Sequence, residues 1–170
     1  MVTSENYRLV DRFLRRLEAV EHRLAVHAAA RPRRGLTDPD PKTGERWDAG
    51  QIWAHLAEFL PYWIDQARTV LVTWTDEPVP FGRVKSDPAR IAAIEENRSA
   101  SPIVLMQRLR DGTSDLRTFL ESLEPEAWLA HGRHSTLGIM PLARIVDEFM
   151  IGHLEEHAAQ LDVIASRERS

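Results

Sequence analysis

The stretch PLARIVDEFMIGHLEEHAAQLDVIAS, Pro141–Ser166, reads as one amphipathic helix opened by its proline. At about 100° per residue, Leu142, Ile145, Val146, Phe149 and Ile164 share one side, while Arg144, Glu148, Glu155 and Asp162 lie opposite. His153 and His157 fall within the apolar sector, one turn apart. A helix that buries this face needs partners of its own kind.

Three more long helical patterns appear. The first runs from about Ser4 to Ala30, with Leu9, Val10, Phe13, Leu14, Leu17 and Leu24 on its apolar stripe. The second starts at Asp48, where Gln51 three residues on completes a capping box, and runs to about Trp74 over Ile52, Leu56, Leu60, Trp63, Ala67, Val70 and Leu71. Pro61 inside it predicts a kink or a split. The third starts at Ser101-Pro102 and carries Leu105, Leu109, Leu116, Phe119, Leu120 and Leu123, with Asp111-Gly112 expected to loosen its middle. A short helix is expected from Asp87-Pro88 to about Asn97, and a helical turn at Glu126–Leu129. Thr75–Asp87 reads as a long connection, and His131, His134 and Gly138 as part of a loop. No strand-like alternation competes. Four amphipathic helices predict an all-α four-helix bundle, a single domain over residues 1–170.

The bulk numbers exclude several classes. With 43% hydrophobic and 28% charged residues the chain can build a core, and its net charge of −4 with no basic stripe argues against nucleic acid. The Arg31, Arg33 and Arg34 cluster lies in a Pro/Gly loop and reads as a solvated rim. No apolar run approaches the roughly 20 residues that cross a bilayer, and the charged N-terminus lacks a signal-peptide pattern. There is no cysteine, so disulfides, thiolate ligands and a cysteine nucleophile are out; this fits a cytoplasmic protein.

Random scatter of seven histidines gives ~0.3 pairs at i,i+4, so position rather than spacing carries weight here. Buried imidazoles need partners. His55 borders the apolar face of the second helix, in line with Phe59, Tyr62 and Gln66, and can reach the same interior point as His153 and His157. One bound divalent ion would satisfy all three, and three protein ligands leave a position open, as in catalytic zinc sites. The alternative from the residues alone is a set of core histidines hydrogen-bonded to carbonyls or carboxylates. His22 and His27 are expected at the surface, and His131 and His134 at the surface of a loop or, as the alternative, at the rim of a pocket. Glu58 and Glu156 stand beside the ligand positions, either as supporting or acid/base groups or as solvated helix carboxylates. Trp74 and Phe81 either shape a pocket or pack over the bundle end, and Trp53 and Trp63 read as core. HLEEH also fits H-x-x-E-H, but only 13 residues follow His157, too few for the distant acidic ligand that signature needs.

WDAGQIWAHLAEFLPYW and HSTLGIMPLARIVDEFMIGHLEEHAAQLDVI together resemble the DinB/YfiT-like superfamily. The residues that carry the resemblance are Trp47, His55, Gly138, Pro141, Leu142, His153, His157, Gln160 and Leu161. It implies an up-down-down-up bundle with a long crossover, often a homodimer. It also implies a divalent metal (zinc, nickel, iron or manganese) on His55, His153 and His157. The expected function is metal-dependent chemistry on a small-molecule substrate, as a thiol-dependent S-transferase or a related transferase or hydrolase. With no cysteine in the chain, the thiol would be an external low-molecular-weight cofactor. The alternative is a non-catalytic bundle, with or without metal, acting in dimeric or stress-related interactions. Catalytic residues are not assigned.

Overall fold

A computed structural model describes residues 2–167. Four long helical segments dominate: α1 (Val2–Ala29), α2 (Ala49–Thr73), α4 (Pro102–Glu121) and a last one built of α5 (Leu142–Val146), a π-helical turn (Asp147–Ile151) and α6 (Gly152–Arg167). The short α3 (Pro88–Asn97) and a 3-10 turn (Pro125–Leu129) complete the helices. The starts follow the sequence signals. Asp48 accepts from the Gln51 N–H while the Gln51 side chain accepts from the Asp48 N–H, closing the capping box. Ser101 and Asp87 cap helices that begin on proline.

Helix α4 packs against both α1 and α2, and α6 against both α1 and α2, around one apolar core. Phe13, Leu17 and Leu24 of α1, Ile52, Leu56 and Leu60 of α2, Leu105 and Leu116 of α4, and Ile145, Leu154 and Ile164 of the last helix are all buried there. A two-armed ion pair links the outer faces of α1 and the last helix. Arg16 donates to Glu155 at 2.9 and 2.7 Å and to Asp147 at 2.7 Å.

Four expectations need correction. Pro61 does not split α2: the residue is exposed and the helix runs on through it. Nor does Gly112 loosen α4, which is continuous. A Cβ at Gly112 would lie 3.2 Å from the Leu60 Cβ, so the glycine lets the two helices approach closely. The fold is not purely α. A three-stranded sheet, order β1-β2-β3, joins β1 (Val79–Phe81) in parallel to β2 (His131–His134), which pairs antiparallel with β3 (Gly138–Pro141). Strands of three or four residues with Pro80, Gly132 and Pro141 in them are too short to display alternation.

The fourth correction concerns the last helix. Its π turn inserts an extra residue, and the apolar stripe slips in phase. Leu142, Ile145 and Val146 are buried before the turn; Leu154, His157, Ala158, Leu161 and Ile164 are buried after it. Phe149 and His153, central on an unbroken wheel, are only half-buried.

Candidate metal centre

Three imidazoles meet between α2 and α6. His55 Nε2 lies 2.9 Å from His153 Nε2, which lies 3.1 Å from His157 Nε2. One ligand atom from each of the three falls within 4.8 Å of the others, the one such cluster of histidines and acids among the described residues. His55 and His157 are buried, whereas the His153 side chain keeps 27% of its surface exposed and opens the site to solvent.

The outer nitrogens are turned away from this centre, each toward an acceptor one turn further along its own helix. His55 Nδ1 donates to Glu58 Oε1 at 2.7 Å, and His157 Nδ1 donates to Gln160 Oε1 at 2.8 Å. Glu156 Oε2 stands 3.6 Å from His153 Nδ1. These acceptors can take only an N–H, so they fix the protons of His55 and His157 on Nδ1 and leave the Nε2 lone pairs facing inward. Lone pairs this close repel unless something positive lies between them. Tetrahedral nitrogen ligands about 2.0–2.1 Å from zinc stand ~3.3 Å apart, close to the separations here. The donor set therefore fits a divalent ion.

The surroundings keep His55 and His157 neutral. Burial, then the neighbouring His157 and His153, pushes His55 far below the usual imidazole range. Burial and His153 likewise lower His157. Neutral imidazole is the form that ligates.

A second layer holds the first. Glu58 is 14% exposed and accepts from Arg83 Nη2 through both carboxylate oxygens, each at 2.7 Å. Burial pushes its carboxyl up, against the pull of Arg83. Glu58 is thus largely buried and bonded to His55 and Arg83, not a solvated helix carboxylate. Glu156 remains 64% exposed. Arg83 is carried in by the connection after α2. There Gly82, at φ +89°, donates its N–H to Gln66 Oε1 at 2.6 Å and leaves no room for a Cβ beside His134. Trp47 forms one wall: its indole stacks parallel to His157 at 5.9 Å and stands edge-on to His55 at 5.4 Å. Two hydrogen bonds to Thr37, one from the Trp47 N–H and one to its carbonyl, fix it at the foot of α2.

The other histidines stay apart from the centre. His22 is exposed as expected. His27 is not a free surface residue, for its Nε2 lies 2.6 Å from Asp162 Oδ1. His134 is buried rather than at the surface, held among Trp63, Phe81 and Phe149 with its Nε2 3.2 Å from the Arg83 carbonyl. His131, at the start of β2, is half-buried and donates to the Leu129 carbonyl at the end of the 3-10 turn. Of the two aromatics of that connection, Phe81 is buried against Trp63 and Phe149, and Trp74 packs partly buried on the core. Sequence reasoning missed Arg83 and the role of Gln160. The recurrence H-x-x-E, H-x-x-E, H-x-x-Q after the three histidines is the signal that could have found the acceptors.

Comparison with known proteins agrees with this fold. The chain resembles YfiT from Bacillus subtilis, described as a probable metal-dependent hydrolase with an unusual four-helix bundle topology, at a TM-score of 0.70 and 19% identity over 94% of this chain and 87% of that one. It also resembles the mycothiol-dependent maleylpyruvate isomerase, at a TM-score of 0.66 and 13% identity over 89% of this chain, though it spans only 60% of that protein. An uncharacterised protein from Clostridium difficile 630 aligns at a TM-score of 0.65 and 8% identity, over 92% of this chain and 95% of the other. At such identities the likeness shows the fold alone. No curated protein matches the sequence. No helix among the described residues is long and apolar enough to cross a membrane. The sequence itself matches the family model of the DinB superfamily over residues 9–161, a span that includes all three clustered histidines, and the chain belongs to that superfamily.

Proposed function

We propose that His55, His153 and His157 hold one divalent metal ion and that the protein is a metal-dependent enzyme acting on a small molecule, by transfer of a low-molecular-weight thiol or by hydrolysis. One observation carries this reading. Three Nε2 atoms converge while the paired Nδ1 atoms of His55 and His157 are each committed to an acceptor. When bound, a divalent ion supplies Lewis acidity and lowers the pKa of a water or thiol that joins it.

The chain's own residues do the rest. Glu58 and Gln160 hold two of the ligand rings in one tautomer and one orientation. Arg83 holds Glu58. Three ligands leave room for a further one, and the exposed edge of His153 gives it a way in. Any thiol must come from outside, since the chain has no cysteine. The probable hydrolase YfiT and the mycothiol-dependent isomerase support the two reaction classes by resemblance. A single domain over residues 1–170, an up-down-down-up helix order, a homodimer and a cytoplasmic location belong to the same reading; sedimentation velocity tests the dimer.

The test is spectroscopy of the cobalt(II)-substituted protein titrated with cysteine, glutathione and mercaptoethanol. A new thiolate-to-cobalt band with any of them supports thiol transfer. Bound cobalt that answers to no thiol but changes with added azide leaves hydrolysis. Bound cobalt that answers to neither contradicts the enzymatic reading.

A further inference from the structure

Most arginines near the centre have carboxylate partners. Arg83 is paired with Glu58, Arg16 with Asp147 and Glu155, and Arg98 with Asp48 and Glu95. Arg90, on α3, differs. Its side chain is half-buried, yet no carboxylate among the described residues lies within ion-pair distance; its guanidinium donates once, from Nη1 to the Lys85 carbonyl at 2.9 Å. Glu58, Glu45 and Asp87 act on it only through space, and burial pushes its pKa below the usual arginine range. A cation removed from water without a partner is costly to keep.

Its position gives that charge a use. The guanidinium lies over the Trp47 indole, 5.2 Å from the ring centre, and Trp47 is the wall that touches both His55 and His157. A divalent ion on the three rings would shift the charge balance of a site where Glu58 is already taken by Arg83 and Arg90 has no carboxylate partner among the described residues. A substrate that brings its own negative charge restores it.

Building on the metal-site reading above, we propose that Arg90 is the anion-binding group of the site, taking the carboxylate or phosphate of a small-molecule substrate whose reacting end lies at the three histidines. A guanidinium lying on an indole is held flat, with an edge left to fork onto two oxygens of one anion. Arg90 sets which substrates bind and leaves the histidines' hold on the ion untouched.

The test uses cobalt-loaded protein, wild type, Arg90→Gln and Arg90→Lys, with the ion content of each measured first. The probes are mercaptopropionate, mercaptobutyrate and mercaptohexanoate, set against mercapto-alcohols of the same lengths, with the phosphate monoester of mercaptoethanol as a further arm. Wild type should prefer the best-fitting anionic thiol over its alcohol by roughly tenfold to a hundredfold, the worth of one charge-assisted pair. Arg90→Gln should lose that preference while keeping the ion and its affinity for the alcohols, and Arg90→Lys should restore part of it. A larger preference in the carboxylate or in the phosphate arm identifies which group Arg90 takes. Equal anion preference in wild type and Arg90→Gln, with the ion bound in both, overturns the role of Arg90 and leaves the metal site standing. Absence of the ion from wild type overturns both.

Discussion

Gly152→Ala is the substitution on which helix propensity and this structure disagree in sign. Alanine in a helix interior is ordinarily worth ~0.8–1.0 kcal/mol over glycine. Gly152, however, closes the π turn by donating its N–H to the Asp147 carbonyl, and a Cβ there would stand 2.6 Å from that oxygen. The obstructing atom is backbone, and Asp147 is also tied to Arg16, so it cannot swing aside freely. Overpacking of this kind costs about 1–3 kcal/mol. The net expectation is a loss of up to about 2 kcal/mol, or a fall in Tm of up to about 8 °C for a chain of this size. His153 is the next residue, so the displaced turn also mis-aims one imidazole, and metal affinity should fall by at least the ~10–100-fold seen when a supporting group is lost. Urea and thermal unfolding of the metal-free protein give the first number, and competition with a chromogenic chelator gives the second. A variant more stable than wild type with unchanged metal affinity would refute the argument that the π turn fixes His153.

Two further outcomes are expected. Glu58→Gln keeps the shape but loses the charge that holds the His55 Nδ1 proton and pairs with Arg83; metal affinity should drop about 10–100-fold by chelator competition, and unchanged affinity would show that Glu58 does not support the centre. The metal-free protein should lose stability as pH falls below about 6.5, because the unfolded chain takes protons on His55 and His157 that the folded chain refuses; the two together cost on the order of 2 kcal/mol between about pH 6.5 and 5.5. Glu58, whose carboxyl burial pushes up, acts in the opposite sense at lower pH. Denaturant midpoints in chelator measure this fall, His55→Gln should make it shallower, and a flat profile would contradict neutral burial of the two rings.

What could be read from the residues follows from how local each feature is. The capping box at Asp48 and the proline starts at Pro88 and Pro102 are written within four residues, and the structure keeps them. The apolar stripes of α1, α2 and α4 repeat over many turns and decide the helical class. The π turn has no composition of its own; it shows only as a slip between Val146 and Leu154, which an evenly spaced wheel averages away. The three histidines were legible because imidazoles among apolar residues demand a partner. Arg83 was not, since its contact with Glu58 spans 25 positions and depends on the turn at Gly82. The solvated reading of Glu58 failed for the same reason, as its partner arrives from another segment. His134 was assigned to the surface because short strands β1 and β2, which bury it, carry too few residues to announce themselves.

The most direct measurement is elemental analysis of the untagged protein beside His55→Ala, His153→Ala and His157→Ala, each checked for helical content. The account predicts about one divalent ion per wild-type chain and none held tightly by any of the three variants. A wild-type protein without the ion after supplementation, or variants that all retain it, would contradict a metal held by these three rings.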